Sequence, residues 1–453
     1  MQITLSRSKD SLFYLVLFSL IALWNIPHTI AARYVCEGLL LLMILTASLC
    51  WKPILKRSKL VILFIAYLFI QILFFSSSIK EGLIGFKSEW MHFILFSIVG
   101  AGSGLYASKN KSLNPLLFVG AAFSIPLLIH LSLALYKGIG LGAIPWGYWG
   151  ISEIHGDLAY ASLQASILLT VYFLNGAKTR LQYTLTTLLL IACVASPLIA
   201  QSRGGVIFAV GSIFFTLTSY LYFKPSTTPL RGKTILISIV ALLFLGLIIK
   251  SGVAVNPERW GGSLSRAISG LQGDANSVFC NGVEILRNDY QSKGIPITSQ
   301  IESELNAIKD GDGARVMVAR SGFDLMSEHP MGINGSKQAY QIAINQFCGK
   351  APVIVISHAH NGWIDTALAI GIPGALLLLF VLINYGVQGF RLGNGSYPFN
   401  AMGLALFASA FIWLFRALLD STLRDQMLEI QAFIFPFLLV LAIAHPPKNL
   451  STK

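Results

Sequence analysis

Ser357-His358-Ala359-His360-Asn361-Gly362-Trp363 holds two of the chain's eight histidines at the edge of a long apolar run. Imidazoles in such a place bind a metal, move a proton, or mark where a loop meets an apolar helix. An i,i+2 pair shares a face only on a strand, and no His-Glu-x-x-His or Cys-x-x-Cys run nearby adds ligands, so no metal is assigned. Asn361 is a good N-cap for the helix that follows. It would hold the His360 ring at a helix start, where a neutral imidazole can serve as general base on a hydroxyl. On spacing alone, the alternative of a histidine that merely lines a helix end stays open.

Arginines supply a second signal. Arg203, in Ala200-Gln201-Ser202-Arg203-Gly204-Gly205, interrupts an apolar stretch. The glycines permit close approach, and the first helical turn after them offers N–H groups and a positive helix end, which together describe an anion site. The alternative is a tight turn whose arginine snorkels to lipid head groups. Arg315 and Arg320 are five apart and point in different directions, so one at most faces a site; Arg315, nearer the positive helix end, suits an anion better, the alternative being a solvated helix face. Asp310-Gly311-Asp312 looks like a metal-binding Asp-x-Asp but lies in a glycine-rich turn, where aspartates are common for local reasons. Glu153, His155 and Asp157 form one further polar group, and Arg416, Asp420, Arg424 and Asp425 another, each able to line a cavity or anchor a helix end. Gly138-Ile139-Gly140-Leu141-Gly142 precedes no βαβ unit and reads as no nucleotide site.

The elements that must position these residues are helices in a membrane. Of 453 residues, 55% are hydrophobic and 12% charged, about half the charged fraction of a soluble domain. The net charge of +13 resides mostly in short connectors, which excludes a nucleic-acid surface and reports topology instead. Twelve apolar runs are long enough to read as spans: 12–25, 34–51, 60–75, 90–106, 115–136, 158–174, 183–200, 204–223, 235–249, 363–385, 401–418 and 427–444. Alternate connectors are rich in Lys and Arg, which places both termini in the cytoplasm. The expected divisions are spans one to nine over 1–250, an outer loop domain over 251–359, and spans ten to twelve over 360–453.

That loop is too long to lack structure. Ser299-Gln300-Ile301-Glu302 has capping-box spacing and opens one helix; Val316, Ala319, Phe323 and Met326 mark the apolar face of a second, which His329-Pro330 ends. Cys280 and Cys348 share the loop and, in an oxidising compartment, would form a disulfide.

The order of these features resembles the O-antigen ligase and polymerase superfamily over roughly residues 201–379. The resemblance rests on Arg203-Gly204 opening a span, Arg315, His329-Pro330-Met331-Gly332-Ile333-Asn334-Gly335, His360-Asn361-Gly362-Trp363-Ile364, and Gly371-Ile372-Pro373-Gly374. It departs from the family pattern at Asn334-Gly335, where glycine is often first, and at Ile364, where leucine is usual. The resemblance implies an all-α polytopic protein of the GT-C type, with about twelve spans and a large loop before span ten, closest to the ligase branch. It implies an inverting, metal-independent glycosyltransferase without a cofactor, at the periplasmic face of a Gram-negative inner membrane. The donor would be a glycan on undecaprenyl diphosphate, the acceptor a lipid A core sugar hydroxyl, with membrane lipids around and no nucleic acid. Carried over, Arg203 and Arg315 hold the donor diphosphate and His360 takes the acceptor proton. Asp420 corresponds loosely to an acidic residue that family members carry in the last outer loop; apart from the resemblance, His358, Asn361 and Arg416 are read with it as substrate-binding residues. Competing readings are an O-antigen polymerase, a protein O-oligosaccharyltransferase, and, from another class, a flippase or transporter.

Overall fold

The computed structural model describes residues 2–109, 113–223, 232, 239, 243, 246, 247, 249–261, 263–394 and 400–444. Every regular element among them is helical. Before the long loop come α1 (Gln2–Leu23), α2 (Ile30–Thr46), α3 (Lys59–Phe74), α4 (Ile79–Lys109, with a π-helical turn at Phe86–Trp90), α5 (Pro115–Leu141), α6 (His155–Asn175), α7 (Arg180–Ile199) and α8 (Arg203–Phe223). The loop contributes α9 (Ser263–Ser269), α10 (Ala275–Asn281), α11 (Ser299–Asp310), α12 (Asp312–Glu328) and α13 (Ala339–Cys348), besides a helix at Glu284–Ser292 and a single turn at Pro257–Trp260. Then come α14 (Gly362–Asn394), α15 (Ala401–Arg416) and α16 (Asp425–Ala444).

Seven described helices are long and apolar enough to cross a membrane: α4 to α8, α14 and α16. The chain is thus a multi-pass membrane protein. The expected runs in α1, α2, α3 and α15 are helical too but fall short in length or hydropathy; α3 and α15 have 16 residues each, about 24 Å of rise against a hydrocarbon core of about 30 Å. The expected ninth span, 235–249, lies largely outside the described residues.

Small residues set the helix packing, as they must where lipid offers no hydrophobic drive between helices. Gly100 and Gly104 of α4 face Phe433 and Phe437 of α16; a Cβ on Gly100 would lie 2.1 Å from the Phe433 carbonyl oxygen. Arg33 on α2 donates to Glu429 on α16 at 2.9 Å, and the Trp24 indole donates to the same carboxylate at 3.2 Å, so one buried ion pair ties α2, α16 and the end of α1.

Helix α14 is broken at Gly371, which has φ +81°. The break frees backbone carbonyls at membrane depth, where each must find a partner. The His329–Gly335 segment provides them: Ile333 N–H donates to Leu368 O (2.7 Å) and Gly335 N–H to Ala369 O (2.9 Å), while Ile372 N–H donates to Pro330 O (2.9 Å). The Tyr67 hydroxyl takes Ile370 O at 2.7 Å. The approach is so close that a Cβ on Gly332 would lie 2.3 Å from Gly371 N. These two glycine motifs therefore exist for each other.

In the loop, α12 packs on α14 and against α9, α11 and α13. Two expectations are corrected. Thr298, not Ser299, caps α11, its side chain accepting from Ile301 N–H at 3.3 Å. The buried face of α12 is Ala314, Met317, Val318, Ser321, Gly322 and Leu325, while Phe323 is exposed. Gly322 decides this register, because a Cβ there would meet Ile364 at 2.7 Å and Ala359 at 3.0 Å. Helix α12 can lie against the start of α14 only on that face. Cys280 and Cys348 are joined as a disulfide, with Cα atoms 5.4 Å apart.

Candidate active site

The contact of α12 with α14 brings Arg315 and His360 to one place. His360 is held by its backbone. Its φ is +51°, a left-handed conformation uncommon for a residue with a side chain. Ala359 N–H donates to Asp365 Oδ1 at 2.7 Å on one side of it. On the other, Asn361 Oδ1 accepts from Trp363 and Ile364 N–H (3.0 and 3.2 Å) and its amide donates to Leu418 O (3.0 Å). Asn361 is thus the expected N-cap, and the amide contacts it makes are structural. Gly362 N–H donates to Ala417 O (2.8 Å) and Asp420 O (3.1 Å), which draws the α15–α16 connector beside the histidines.

Burial first, then the neighbouring His358 and Arg315, push the pKa of His360 down to about 4. The free imidazole is therefore neutral at pH 7 and able to accept a proton. His358, its ring 4.3 Å from that of His360, is lowered too, burial again leading, and its Nδ1 bonds Ser357 Oγ at 2.7 Å. Burial works to raise Asp420, but Arg416 and the Tyr160 hydroxyl outweigh it and hold the carboxyl below its usual range. Tyr160 donates to Asp420 at 2.8 Å and Arg416 at 3.0 Å.

Arg416 is buried. It also donates to Gly204 O at 3.2 Å and lies over the rings of Tyr160 and Phe208. The group that approaches Arg203-Gly204-Gly205 is therefore this guanidinium, and Ser202 Oγ accepts from Gly205 N–H (3.2 Å) at the start of α8. The helix end expected to receive an anion is in part already capped. Arg203 itself points to the loop and makes a two-pronged pair with Asp312, at 2.6 and 3.0 Å.

Arg315 is exposed and lines three adjoining cavities, as His360 does. The outer one, about 1260 Å³, has Arg203, Arg266, Lys309 and Asp312 on its wall. The inner one, about 590 Å³, runs between α2, α4 and α16 past Arg33, His92, Asp420 and Arg424. Arg320 borders only the third of these cavities and is fastened to Gly270 O and Gly273 O, each at 3.0 Å.

Sequence reasoning missed Arg266 on the outer wall, Lys337 on the inner wall, where it pairs with Asp425 at 2.9 Å, and Asp365 beneath the histidine turn, and gave Tyr160 no part. For Tyr160 a signal existed, since it lies near His155 and Asp157 on one helix. Arg266 reaches the site only through the packing of α9 on α12, which no local pattern encodes.

Fold and site together define the class: a multi-pass, all-helical membrane protein with a cationic pocket where its loop meets the bundle. Residues 187–379 match the O-antigen ligase family, a stretch that contains Arg203, Arg315, the His329–Gly335 segment and His360, so the resemblance in the motifs is borne out. Members of that family are glycosyltransferase-like enzymes of O-antigen ligase or polymerase type, acting on lipid-linked glycans in general. No curated protein matches the chain.

Proposed function

We propose that the chain is an inverting, metal-independent glycosyltransferase that moves O-antigen polysaccharide from undecaprenyl diphosphate to a lipid A core sugar hydroxyl. It would work at the periplasmic face of a Gram-negative inner membrane, within a GT-C-type bundle of about twelve spans. The observation that carries this reading is the common wall: Arg315 and His360 border both the arginine-rich outer cavity and the inner one. The donor's phosphates belong in the outer cavity, where forked guanidinium groups suit phosphate oxygens. The inner cavity, with nearly balanced acids and bases, suits the hydroxyl-rich acceptor.

In the reaction, neutral His360 accepts the hydroxyl proton as the acceptor oxygen attacks the anomeric carbon on the face opposite the departing group. The carbon–oxygen bond to phosphate breaks, and Arg315 and Arg203 stabilise the charge collecting on the leaving diphosphate. Asp420, ionised beside His360, favours the imidazolium that forms. His358 supports the ring, and Arg416 fixes Asp420.

The test uses purified protein with lipid-linked O-antigen and rough lipopolysaccharide, in chelator, read as a gel ladder. Glycan on lipid A core is the expected result. Growth of the lipid-linked glycan instead would favour a polymerase, transfer to serine or threonine of a protein an oligosaccharyltransferase, and movement of lipid-linked glycan across vesicles without transfer a flippase.

A further inference from the structure

The Arg203–Asp312 pair has a third member. Arg266 on α9 reaches the same carboxylate, its Nη2 3.6 Å from Asp312 Oδ2. Three elements thus meet at one anion: α8 through Arg203, α9 through Arg266, and α12 through Asp312 in its first turn. Arg315 lies one turn further along α12. All four side chains line the outer cavity.

The exposures are intermediate: 25% for each of Arg203 and Arg266 and 16% for Asp312. A surface pair of this kind is worth little for stability, so stability is a weak reason for two arginines to converge on one acid. Burial works to raise the Asp312 carboxyl, but Arg203, Arg266 and Arg315 outweigh it, and the group stays ionised. Three arginines against one carboxylate leave two positive charges in surplus, and Lys309 adds another; Glu302, the other acid of this wall, pairs with Arg287 at 2.8 Å. A diphosphate diester carries two negative charges. The wall is thus charged for that ligand, and the carboxylate holds two guanidinium groups side by side on it, where their remaining N–H donors suit phosphate oxygens.

We propose that Arg266 is a third ligand of the donor diphosphate, and that Asp312 is a positioning residue holding Arg203 and Arg266 together at the cavity wall. The proposal rests on the glycan-transfer reading and names a residue that reading does not contain.

Steady-state transfer by the full-length protein, with lipid-linked glycan varied and rough lipopolysaccharide fixed, tests it. Arg266→Gln raises the donor KM about ten-fold or more while the acceptor KM stays within about two-fold. Arg266→Lys, which keeps the charge and serves where the glutamine variant folds poorly, gives a smaller rise. Asp312→Asn raises the donor KM in the same way, and Asp312→Glu recovers part of it. An unchanged donor KM in Arg266→Gln, with Arg315→Gln inactive, overturns this proposal and leaves the transfer reading standing. A wild type that moves no glycan from this donor overturns both.

Discussion

The segments 329–335 and 357–362 both contain histidine, asparagine and glycine, and they use these residues in opposite ways. In the first, backbone groups meet backbone: Ile333 and Gly335 saturate the carbonyls that the break at Gly371 leaves open, and Trp90 holds Gly335 O at 3.0 Å. Its asparagine points away from the cavity to Ser77, at 2.8 Å from the amide. In the second, backbone and asparagine contacts fix the turn, and the histidine rings are left to the cavity. A sequence pattern that runs through both segments therefore mixes scaffold with chemistry, and the glycines mark the scaffold.

Substitutions can break or sharpen that contrast. The largest effect belongs to the chemistry: Arg315→Ala lowers transfer about 10²–10³-fold, the typical loss when a charge-stabilising donor is removed, with no change in melting temperature. Detergent-solubilised transfer rates and thermal melts measure the two halves of this statement. Next is the disulfide, which closes a separation of 68 residues and anchors α13, the helix leading into the site. Cys280→Ser costs the loop about 4 kcal/mol by chain entropy, read as faster proteolysis of residues 257–361 under non-reducing conditions.

Gly332→Ala comes third. With φ +83° and Gly371 N at 2.3 Å, it costs on the order of 3 kcal/mol, seen as a lowered melt accompanied by lost expression. If it instead behaves like Arg315→Ala, stable and inactive, the division between scaffold and chemistry is wrong. Asn361→Ala has the smallest effect, about 1 kcal/mol for a lost N-cap, and the donor and acceptor KM stay near wild type. A selective rise in either KM would return Asn361 to the substrate-binding residues.

The histidine half also predicts a pH profile. Because the free imidazole titrates at about 4, its neutral, proton-accepting form persists above that value. kcat/KM is then level from about pH 6 to 8 and falls only as the pH drops toward about 4. A fall centred near 6.5 would show His360 solvated in the working enzyme.

Much of this architecture was legible in the amino-acid order. Apolar runs announce helices because a chain in lipid must satisfy its backbone internally, and the five-residue offset of Arg320 from Arg315 fits Arg315 alone bordering the inner and outer cavities. The α12 face was misread for a specific reason. Gly322 and Ser321 are buried because the helix needs close approach to Ala359 and Ile364, and hydrophobicity does not register closeness. Glycine at 204 signals room for an anion, whereas the group above it is Arg416 from another helix. Arg266 and Asp312 meet only in three dimensions, as do the motif glycines, whose mutual purpose no spacing could reveal.

The central claim is that His360 accepts the acceptor's proton in glycan transfer. Its most direct test is the transfer rate of His360→Ala, measured on protein whose melting temperature matches wild type. The account predicts a rate at least about a hundred-fold lower. A rate within about two-fold of wild type would contradict it.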